Sequence, residues 1–304
     1  MSHFVSLKYF SSKELNDLLD LAAQMKKDPR SSKSLLEGKS IGLLFEKASL
    51  RTKTAFYIGA QQLGAKAIYY SPQEVRLGQR EEVADVARTL SVYLDAVVVR
   101  TFSHGNILKF SEISSIPVVN ALSDLLHPSQ ALADILTIRE LKGDLKKLKV
   151  AYIGDGNNVC NSLIYAFSVL GGNLDLAIPK GYQPYESILG EVESYHRVSG
   201  AKINLTDSVL QVAKDADVLY TDVWTSMGKE QEKEERKKAF KNFRIDDKIL
   251  NRAKPDAIVM HCLPAHRGEE ITSSVIEGKK SVVFQQAENR LHTAKAILTY
   301  ILKK

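Results

Sequence analysis

The chain has 304 residues, 44% of them hydrophobic and 26% charged, which is typical of a globular protein too long for one hydrophobic core. Its 42 Lys and Arg residues are interleaved with 36 Asp and Glu residues, as in the solvated helix face predicted at Lys229–Lys238, so we expect no nucleic-acid partner. Two distant cysteines exclude a disulfide framework, and no signal peptide or long apolar run is present, so we expect a cytoplasmic protein with no membrane partner.

Short β-branched runs alternate with longer helical patterns, which predicts parallel sheets with crossover helices. The first series of predicted strands is Ser40–Phe45, Lys66–Tyr70, Ala96–Arg100 and Pro117–Asn120. Its predicted helices are Arg51–Leu63, Glu81–Tyr93 and Gln130–Leu141. The pair Lys142-Gly143 is a typical signal for the end of the last of these helices.

A second series of predicted strands follows at Lys149–Gly154, Leu174–Ile178, Lys202–Leu205, Val218–Asp222, Ala257–Met260 and Ser281–Phe284. The helices predicted between them are Cys160–Leu170, Glu186–Val198, Asp207–Lys214 and Asp246–Arg252. The mixed-charge stretch Lys229–Phe243 is predicted to be a mobile surface insertion.

The two series predict an α/β protein with two domains, each a mostly parallel β-sheet flanked by helices. We place the domains at residues 1–143 and 144–286, with the joint around Gly143–Leu148. The amphipathic segment 287–304 follows the last predicted strand, and we expect it to form a C-terminal helix that returns to the first domain.

Polar residues follow six of the predicted strands, where open parallel sheets bind their ligands. In the first series these residues are Ser49-Leu50-Arg51-Thr52, Arg100 and His127-Pro128-Ser129-Gln130. In the second series they are Asp155-Gly156-Asn157-Asn158, the run from Asp222 to Gly228, and His261-Cys262-Leu263-Pro264. The strand ends therefore predict a ligand-binding site.

The segment Ser49-Leu50-Arg51-Thr52 opens a predicted helix, and a helix start offers backbone N–H groups to an anion. Arg51 and the two hydroxyls add further donors, which favours phosphate binding. The alternative is that Ser49 caps the helix and Arg51 is an ordinary surface charge. A dinucleotide-binding site is disfavoured, because in the Gly-x-Gly-x-x-Gly pattern that begins at Gly154 the third glycine is replaced by Val159.

His127 and Gln130 suit a carbonyl or amide ligand, since histidine can polarise a carbonyl oxygen and the glutamine amide can hydrogen-bond it. Cys262 lies at a strand end, whereas Cys160 lies in an apolar helical pattern, so only Cys262 is a functional candidate. A thiolate nucleophile remains possible there. A metal site at His261, Cys262 and His266 lacks any standard ligand spacing.

These motifs together resemble the aspartate/ornithine carbamoyltransferase family over the whole chain. The family's carbamoyl-phosphate signature is similar to Ser49-Leu50-Arg51-Thr52, with Leu50 departing from the commonest residue, threonine. Because that residue contributes mainly its backbone N–H, the change is tolerable. The resemblance implies carbamoyl-phosphate contacts from these four residues and from Arg76, Arg100, His127, Gln130, Cys262, Leu263 and Arg290.

The second half resembles the ornithine-specific members of the family. The Asn-Asn pair, Asp-x-x-x-Ser-Met-Gly and His-Cys-Leu-Pro are present, and they imply ornithine contacts from Asn158, Asp222, Ser226 and Met227. The resemblance implies transfer of a carbamoyl group to the side-chain amine of L-ornithine, with Cys262, Arg100 and His127 as catalytic residues. It implies no metal or organic cofactor. Carbamoyltransferases for acetylornithine or putrescine, and a catalytically silent binding relative, are the alternatives.

The loop Glu74–Glu81 resembles one that reaches into a neighbouring subunit's site, where many relatives carry Gln or His at the position of Arg76. A surface arginine is an equal alternative to a phosphate contact there. The resemblance implies a homotrimer with sites at its subunit interfaces. We expect arginine biosynthesis as the metabolic setting, with arginine breakdown as the alternative.

Overall fold

The computed structural model describes residues 3–74, 76–226 and 228–303. The chain divides into two compact units, Met1–Leu136 with Glu288–Lys304, and Thr137–Ala287. The limits predicted for the two ligand-binding domains, 143/144 and 286/287, remain predictions. Within the described residues, no helix combines the length and apolarity needed to cross a membrane.

The strands are β1 Ser40–Phe45, β2 Lys66–Tyr70, β3 Ala96–Arg100, β4 Val118–Leu122, β5 Lys149–Ile153, β6 Asn173–Ala177, β7 Lys202–Thr206, β8 Val218–Thr221 and β9 Ile258–His261. The α-helices are α1 Ser12–Lys27, α2 Arg51–Gln62, α3 Val83–Tyr93, α4 His104–Ile113, α5 Pro128–Lys142, α6 Asn158–Leu170, α7 Glu186–Ser199, α8 Val209–Ala213, α9 Lys233–Phe240, α10 Asp247–Leu250, α11 Ser273–Ile276 and α12 Val283–Lys303. Short 3-10 helices lie at Leu7–Tyr9, Pro29–Ser32, Leu145–Lys147 and Glu230–Glu232.

The first unit is built on a parallel four-stranded sheet in the order β2-β1-β3-β4. All five residues of β3 are buried, as expected for a central strand covered on both faces. The strand order reverses between β1 and β3, whose last residues, Phe45 and Arg100, are register partners. The loops after these two strands therefore begin side by side, at the point where open α/β sheets bind ligands.

The second unit is built on a parallel five-stranded sheet in the order β7-β6-β5-β8-β9. Register pairs Ile153 with Thr221 and Thr221 with His261, so β5, β8 and β9 end at one level. The order reverses between β5 and β8, which again creates a crevice at the carboxyl ends of the strands. The residues after Ile153, Thr221 and His261 therefore meet at one edge of the sheet.

The prediction of an α/β protein with two parallel sheets is confirmed, and the end of α12, from Glu288 on, belongs to the first unit as expected. Helices α1, α4 and α11 were not predicted. The strand prediction at Ser281–Phe284 is wrong, because only Ser281 makes a bridge, to Val259, and helix α12 begins at Val283. Val283 is buried in the core of the second unit, so its β-branched side chain contributes to a helical turn instead of a strand.

The prediction of a mobile surface insertion at Lys229–Phe243 is also wrong. This stretch contains helix α9, and its Phe240 and Phe243 belong to the hydrophobic core of the second unit. Arg236 is buried as well, with 3% of its surface exposed. The mixed charges predicted an exposed segment, because its buried residues are few and one of them is an arginine.

Candidate active site

The loop between β1 and α2 leaves the start of that helix open to an anion. Leu50 is the N-cap residue, in the helical region at φ −75° and ψ −61°, and no side chain among the described residues caps the helix. The alternative in which Ser49 caps α2 is therefore wrong. The first N–H groups of a helix have no partner inside the helix, so they are donors for a bound phosphate. Leu50 is 75% exposed and offers this loop its backbone alone.

Three arginines concentrate positive charge beside this helix start. Arg100 ends β3, Arg290 lies on α12, and both are buried, while Arg51 begins α2. Burial, followed by repulsion from Arg290 and Arg51, lowers the pKa of Arg100 to about 10. Arg290 also donates a hydrogen bond from Nη2 to Oγ1 of the buried Thr52. Like charges held this close in a poorly solvated place favour the binding of a polyanion, which offers charge-assisted hydrogen bonds to each guanidinium.

His127 lies against this cluster as a neutral imidazole. Its Nε2 is 3.5 Å from Nη2 of Arg290, and its Nδ1 is 3.4 Å from Oγ of Ser129. Burial, followed by repulsion from Arg290, Arg100 and Arg51, lowers the pKa of His127 well below its ordinary value. Because a guanidinium only donates, Nε2 faces Arg290 with its lone pair. Donation to a substrate carbonyl oxygen from this nitrogen therefore requires the other tautomer.

Gln130 presents a buried amide that is held on one side. It is 1% exposed, and its Nε2 donates to Oδ1 of Asp134 at 2.8 Å. Its Oε1 accepts no hydrogen bond from the described part of the chain. A buried carbonyl oxygen in this state is an acceptor for a ligand N–H group. Asp134 escaped sequence reasoning, although its position one turn after Gln130 on a helix was a usable signal.

Glu46 is a second residue that sequence reasoning missed, and it joins three loops. Its Oε1 accepts from the backbone N–H of Leu77 at 2.7 Å, and its other oxygen accepts from the Thr101 hydroxyl. Its own backbone N–H donates to the carbonyl of Arg100 at 2.8 Å. The exposed turn that carries Arg76 is thereby attached to the loops after β1 and β3. The structure does not bring Arg76 itself into the arginine cluster through any described contact.

In the second unit, Asp222 is the centre of a hydrogen-bond network. Its Oδ2 accepts from Nδ2 of Asn157 at 2.7 Å, and its Oδ1 accepts from the Cys262 thiol at 2.9 Å. The Oδ1 of Asn157 accepts from the backbone of Val159 and Cys160, which caps α6. A thiol that donates to a carboxylate is protonated. Asn157 therefore orients Asp222 and, through it, the thiol of Cys262.

The remaining residues predicted for the amine substrate lie on the loops of this edge. Asn158 is the first residue of α6 and Ser226 lies in the loop after β8; both are half-buried. Met227 lies outside the described residues. Leu263 follows Cys262 after β9, with φ of 58°.

A buried ion pair, unforeseen from the sequence, anchors the loop after β8. Nη1 of Arg236 donates to Oδ2 of Asp155 and to the carbonyl oxygen of Trp224, each at 2.9 Å. Burial raises the pKa of Asp155 to about 6, against the opposing effect of Arg236. The ion pair links the Gly154–Asn158 loop to helix α9, so α9 supports the loop that carries Ser226.

Among the described residues, Asp222, His261 and Cys262 form one of two groups whose potential metal-ligand atoms lie within 4.8 Å of one another; the other is His266, Glu269 and Glu270. Both ring nitrogens of His261 are engaged in protein hydrogen bonds, to Leu263 and Glu270. We therefore interpret the first group as a hydrogen-bond network. The set considered from the sequence, His261, Cys262 and His266, is neither of these two groups.

Comparisons with known proteins assign both domains to one family. The carbamoyl-P binding domain of aspartate/ornithine carbamoyltransferases matches residues 2–140, and the Asp/Orn binding domain of the same proteins matches residues 146–301. An ornithine carbamoyltransferase of Methanoculleus marisnigri is 46% identical over 98% of this chain and 96% of its own length. A catabolic ornithine carbamoyltransferase of Thermoplasma acidophilum is 44% identical over 95% of each chain.

Solved structures agree with the sequence relatives. The crystal structure of an anabolic ornithine carbamoyltransferase from Campylobacter jejuni superimposes with a TM-score of 0.95 at 41% identity, over 99% of both chains. The two matched domains follow one another in the order that the sequence motifs implied, and together they span nearly the whole chain. The chain belongs to the aspartate/ornithine carbamoyltransferase family.

Proposed function

We infer that this protein transfers the carbamoyl group of carbamoyl phosphate to the side-chain amine of L-ornithine, giving L-citrulline and phosphate. The observation that carries this function is the arginine cluster with its neutral histidine at the open start of α2, in a domain whose relatives bind carbamoyl phosphate. The relatives that match at high coverage are ornithine carbamoyltransferases.

The phosphate of carbamoyl phosphate is proposed to bind at the start of α2, where the Leu50 and Thr52 amides, Ser49 and Arg51 surround it. Arg290 supports this site through Thr52. The exposed Arg76 is proposed as a further phosphate contact. The negative charge of a phosphate bound here would offset the repulsion between the guanidinium groups, which stabilises both the ligand and the cluster.

The carbonyl oxygen is proposed to face Arg100 and His127, which stabilise the negative charge that develops there during attack. The Oε1 of Gln130 is proposed to accept from the carbamoyl NH2, since it is a buried acceptor whose other amide atom is held by Asp134. Cys262 and the Leu263 carbonyl are proposed as additional carbamoyl contacts. The departing phosphate takes up a proton itself, so the scheme needs no cofactor.

Ornithine is proposed to bind along the edge of the second sheet, with Asn158, Asp222, Ser226 and Met227 as its contacts. The attacking amine must lose a proton first, because an alkyl ammonium group has a pKa of about 10.4 and no lone pair. Cys262 and Asp222, already hydrogen-bonded to each other, are proposed to orient the amine, and the Asp222 carboxylate is proposed to accept its proton.

The test is a citrulline assay with carbamoyl phosphate and a panel of amines. We expect citrulline from L-ornithine, and a kcat/KM at least about 100-fold lower for N-acetylornithine, putrescine and L-aspartate, because a site with fixed polar partners rejects amines that leave them unpaired. Equal use of putrescine would assign a different amine carbamoyltransferase. Binding without phosphate release would indicate a catalytically silent relative.

We further propose that the enzyme serves arginine biosynthesis in the cytoplasm. Relatives named anabolic and catabolic are both similar to this chain, so the direction is a matter for genetics. Restored growth of an arginine auxotroph that lacks this activity is expected. Failure to restore growth by a well-expressed, active enzyme would favour a catabolic role.

We also propose a homotrimer in which Arg76 reaches a neighbouring subunit's site. The turn that carries Arg76 is exposed and is attached through Glu46 to the phosphate-site loops. Mixing Arg76→Ala subunits with Arg51→Ala subunits should then recover activity, because some mixed sites combine an intact Arg51 with an intact Arg76. A mixture no more active than its parents would place both arginines in one subunit.

A further inference from the structure

A buried hydrogen-bond chain runs from Glu270 through His261 to the backbone of Leu263. Both ionisable side chains are 0% exposed. Nε2 of His261 lies 3.0 Å from Oε1 of Glu270, and the backbone N–H of Leu263 donates to Nδ1 of His261 at 2.8 Å. The same Glu270 oxygen accepts from the backbone N–H of His266 at 2.5 Å. The chain therefore connects the Arg267–Ile271 turn with the end of β9.

These contacts assign the protons in the chain. A backbone N–H can only donate, so Nδ1 of His261 carries the lone pair and the single ring proton lies on Nε2. That proton points at Glu270, which accepts it. The carboxylate thereby fixes the tautomer and orientation of the imidazole. In other proteins, the hydrogen bond made by one ring nitrogen sets the role of the other nitrogen in the same way.

The backbone at Leu263 needs such a support. Its φ of 58° lies in the left-handed region, which a leucine rarely adopts unless its surroundings impose that conformation. The N–H of this residue is the group that His261 accepts from. On the other flank, the N–H of His261 donates to Oε1 of Gln286 at 2.9 Å. The peptide of Cys262 is thus held on both sides, and its thiol is aimed at Asp222.

We propose that His261 and Glu270 are positioning residues for the amine and the carbamoyl group: through Leu263 they set the backbone that carries the Cys262 thiol and the Leu263 carbonyl. This rests on the proposed function. A core role alone would not require ionisable groups, since apolar residues of similar size fill buried positions as well or better. In the described part of the chain, the imidazole ring makes one hydrogen bond through Nε2 to Glu270 and one through Nδ1 to the backbone N–H of Leu263.

The test compares two replacements of His261 in the full-length enzyme. Asparagine has a carbonyl oxygen that can accept from the N–H two residues later, as in an Asx turn, whereas leucine fills similar space without an acceptor. We expect His261→Leu to lower kcat/KM for ornithine by about 100-fold, the order of loss seen when reacting groups are displaced by 1 Å. His261→Asn should recover at least about tenfold of it.

Glu270→Leu should lower kcat/KM for ornithine by about 10-fold or more, because the imidazole then loses its orienting partner. In every variant the affinity for inorganic phosphate, measured by calorimetry, should stay within about twofold of the wild-type value, because the residues proposed to bind phosphate lie in the first unit. His196→Leu is the matched control: His196 also contacts a side chain in the second unit, Oγ of Ser168 at 3.0 Å, but lies on α7. Its kinetics should equal those of the wild type.

Equal losses in His261→Asn and His261→Leu, with both variants folded by thermal melting, would overturn the inference. So would unchanged ornithine kinetics in His261→Leu. An inactive wild-type enzyme in the citrulline assay would instead overturn the proposed function, and with it the inference.

Discussion

The two units prepare their functional groups in opposite ways. In the first unit, Arg51, Arg100 and Arg290 bring charges of one sign together beside an uncapped helix start. In the second unit, buried polar groups are matched with one another, as in the Asp222 network and the Arg236–Asp155 ion pair. The first arrangement suits a polyanionic ligand, while the hydrogen bonds of the second join protein groups to one another. Substitution of Arg51 should therefore change mainly ligand affinity, whereas breaking the Arg236–Asp155 ion pair should change mainly stability.

The largest effect is expected from breaking the ion pair of the second unit. Arg236→Leu leaves Asp155 buried without its charged partner, and such a loss destabilises proteins by about 3–5 kcal/mol. Denaturant unfolding measures it. The matched control is the double variant Asp155→Asn with Arg236→Leu, which removes both charges and should recover most of the loss. A double variant as unstable as Arg236→Leu would show that the arginine acts through packing.

Arg51→Ala should lower the affinity for carbamoyl phosphate by about 100-fold or more, since each charge-assisted hydrogen bond lost contributes about 1.5–3 kcal/mol. The protein should remain folded, because Arg51 is only half-buried at the start of α2. Calorimetry with carbamoyl phosphate and with phosphate measures the affinity. Arg88→Ala, an exposed arginine on α3, is the control and should leave it unchanged. Unaltered phosphate binding in Arg51→Ala would refute the phosphate site.

Cys262→Ala should affect the amine substrate far more than the phosphate. We expect kcat/KM for ornithine to fall by about 10-fold, the value of one buried hydrogen bond to a charged group, while phosphate affinity stays the same. Cys160→Ala is the control, because Cys160 is buried in α6 and has no proposed contact with either substrate. Equal losses of both affinities would indicate a structural role for Cys262.

The smallest effect concerns pH. Because the pKa of His127 lies below its unfolded value, the unfolded chain takes up this proton first as the pH falls. The stability contributed by the neutral imidazole is complete above about pH 6.5 and declines below it, towards the folded pKa. His127→Gln should therefore show a flatter decline in melting temperature between pH 6.5 and pH 4.5. An identical decline in both proteins would mean that His127 does not remain neutral.

The predictable parts of the molecule were those with a local signal. Strands β1, β2 and β3 have the predicted bounds, because short apolar runs bounded by turn and loop residues identify strands. The first turn of α12 was mistaken for a strand, since Val282 and Val283 have the same local pattern in either structure. Helix α9 was read as a surface insertion, because no local rule indicates that Arg236 will find Asp155.

The residues of the candidate site likewise divide into those that the sequence indicated and those that only the structure revealed. Sequence alone indicated Arg51, Arg100, His127 and Gln130 through their positions after parallel strands, which share one edge of a sheet, and the family resemblance added Arg290. The supporting roles of the residues Glu46, Asp134, Asn157 and Glu270 became visible only in the structure. Each acts through a hydrogen bond whose partner is set by packing.

The amino-acid sequence by itself determined the fold class, the family and the groups available for chemistry, because hydrophobic periodicity and motif spacing are properties of neighbouring residues. The tertiary structure alone decided which groups are buried together, and hence that His127 is neutral and that the pKa of Arg100 falls to about 10. Desolvation and charge–charge repulsion depend on distances in space, and residues far apart in sequence, such as Arg51 and Arg290, create them.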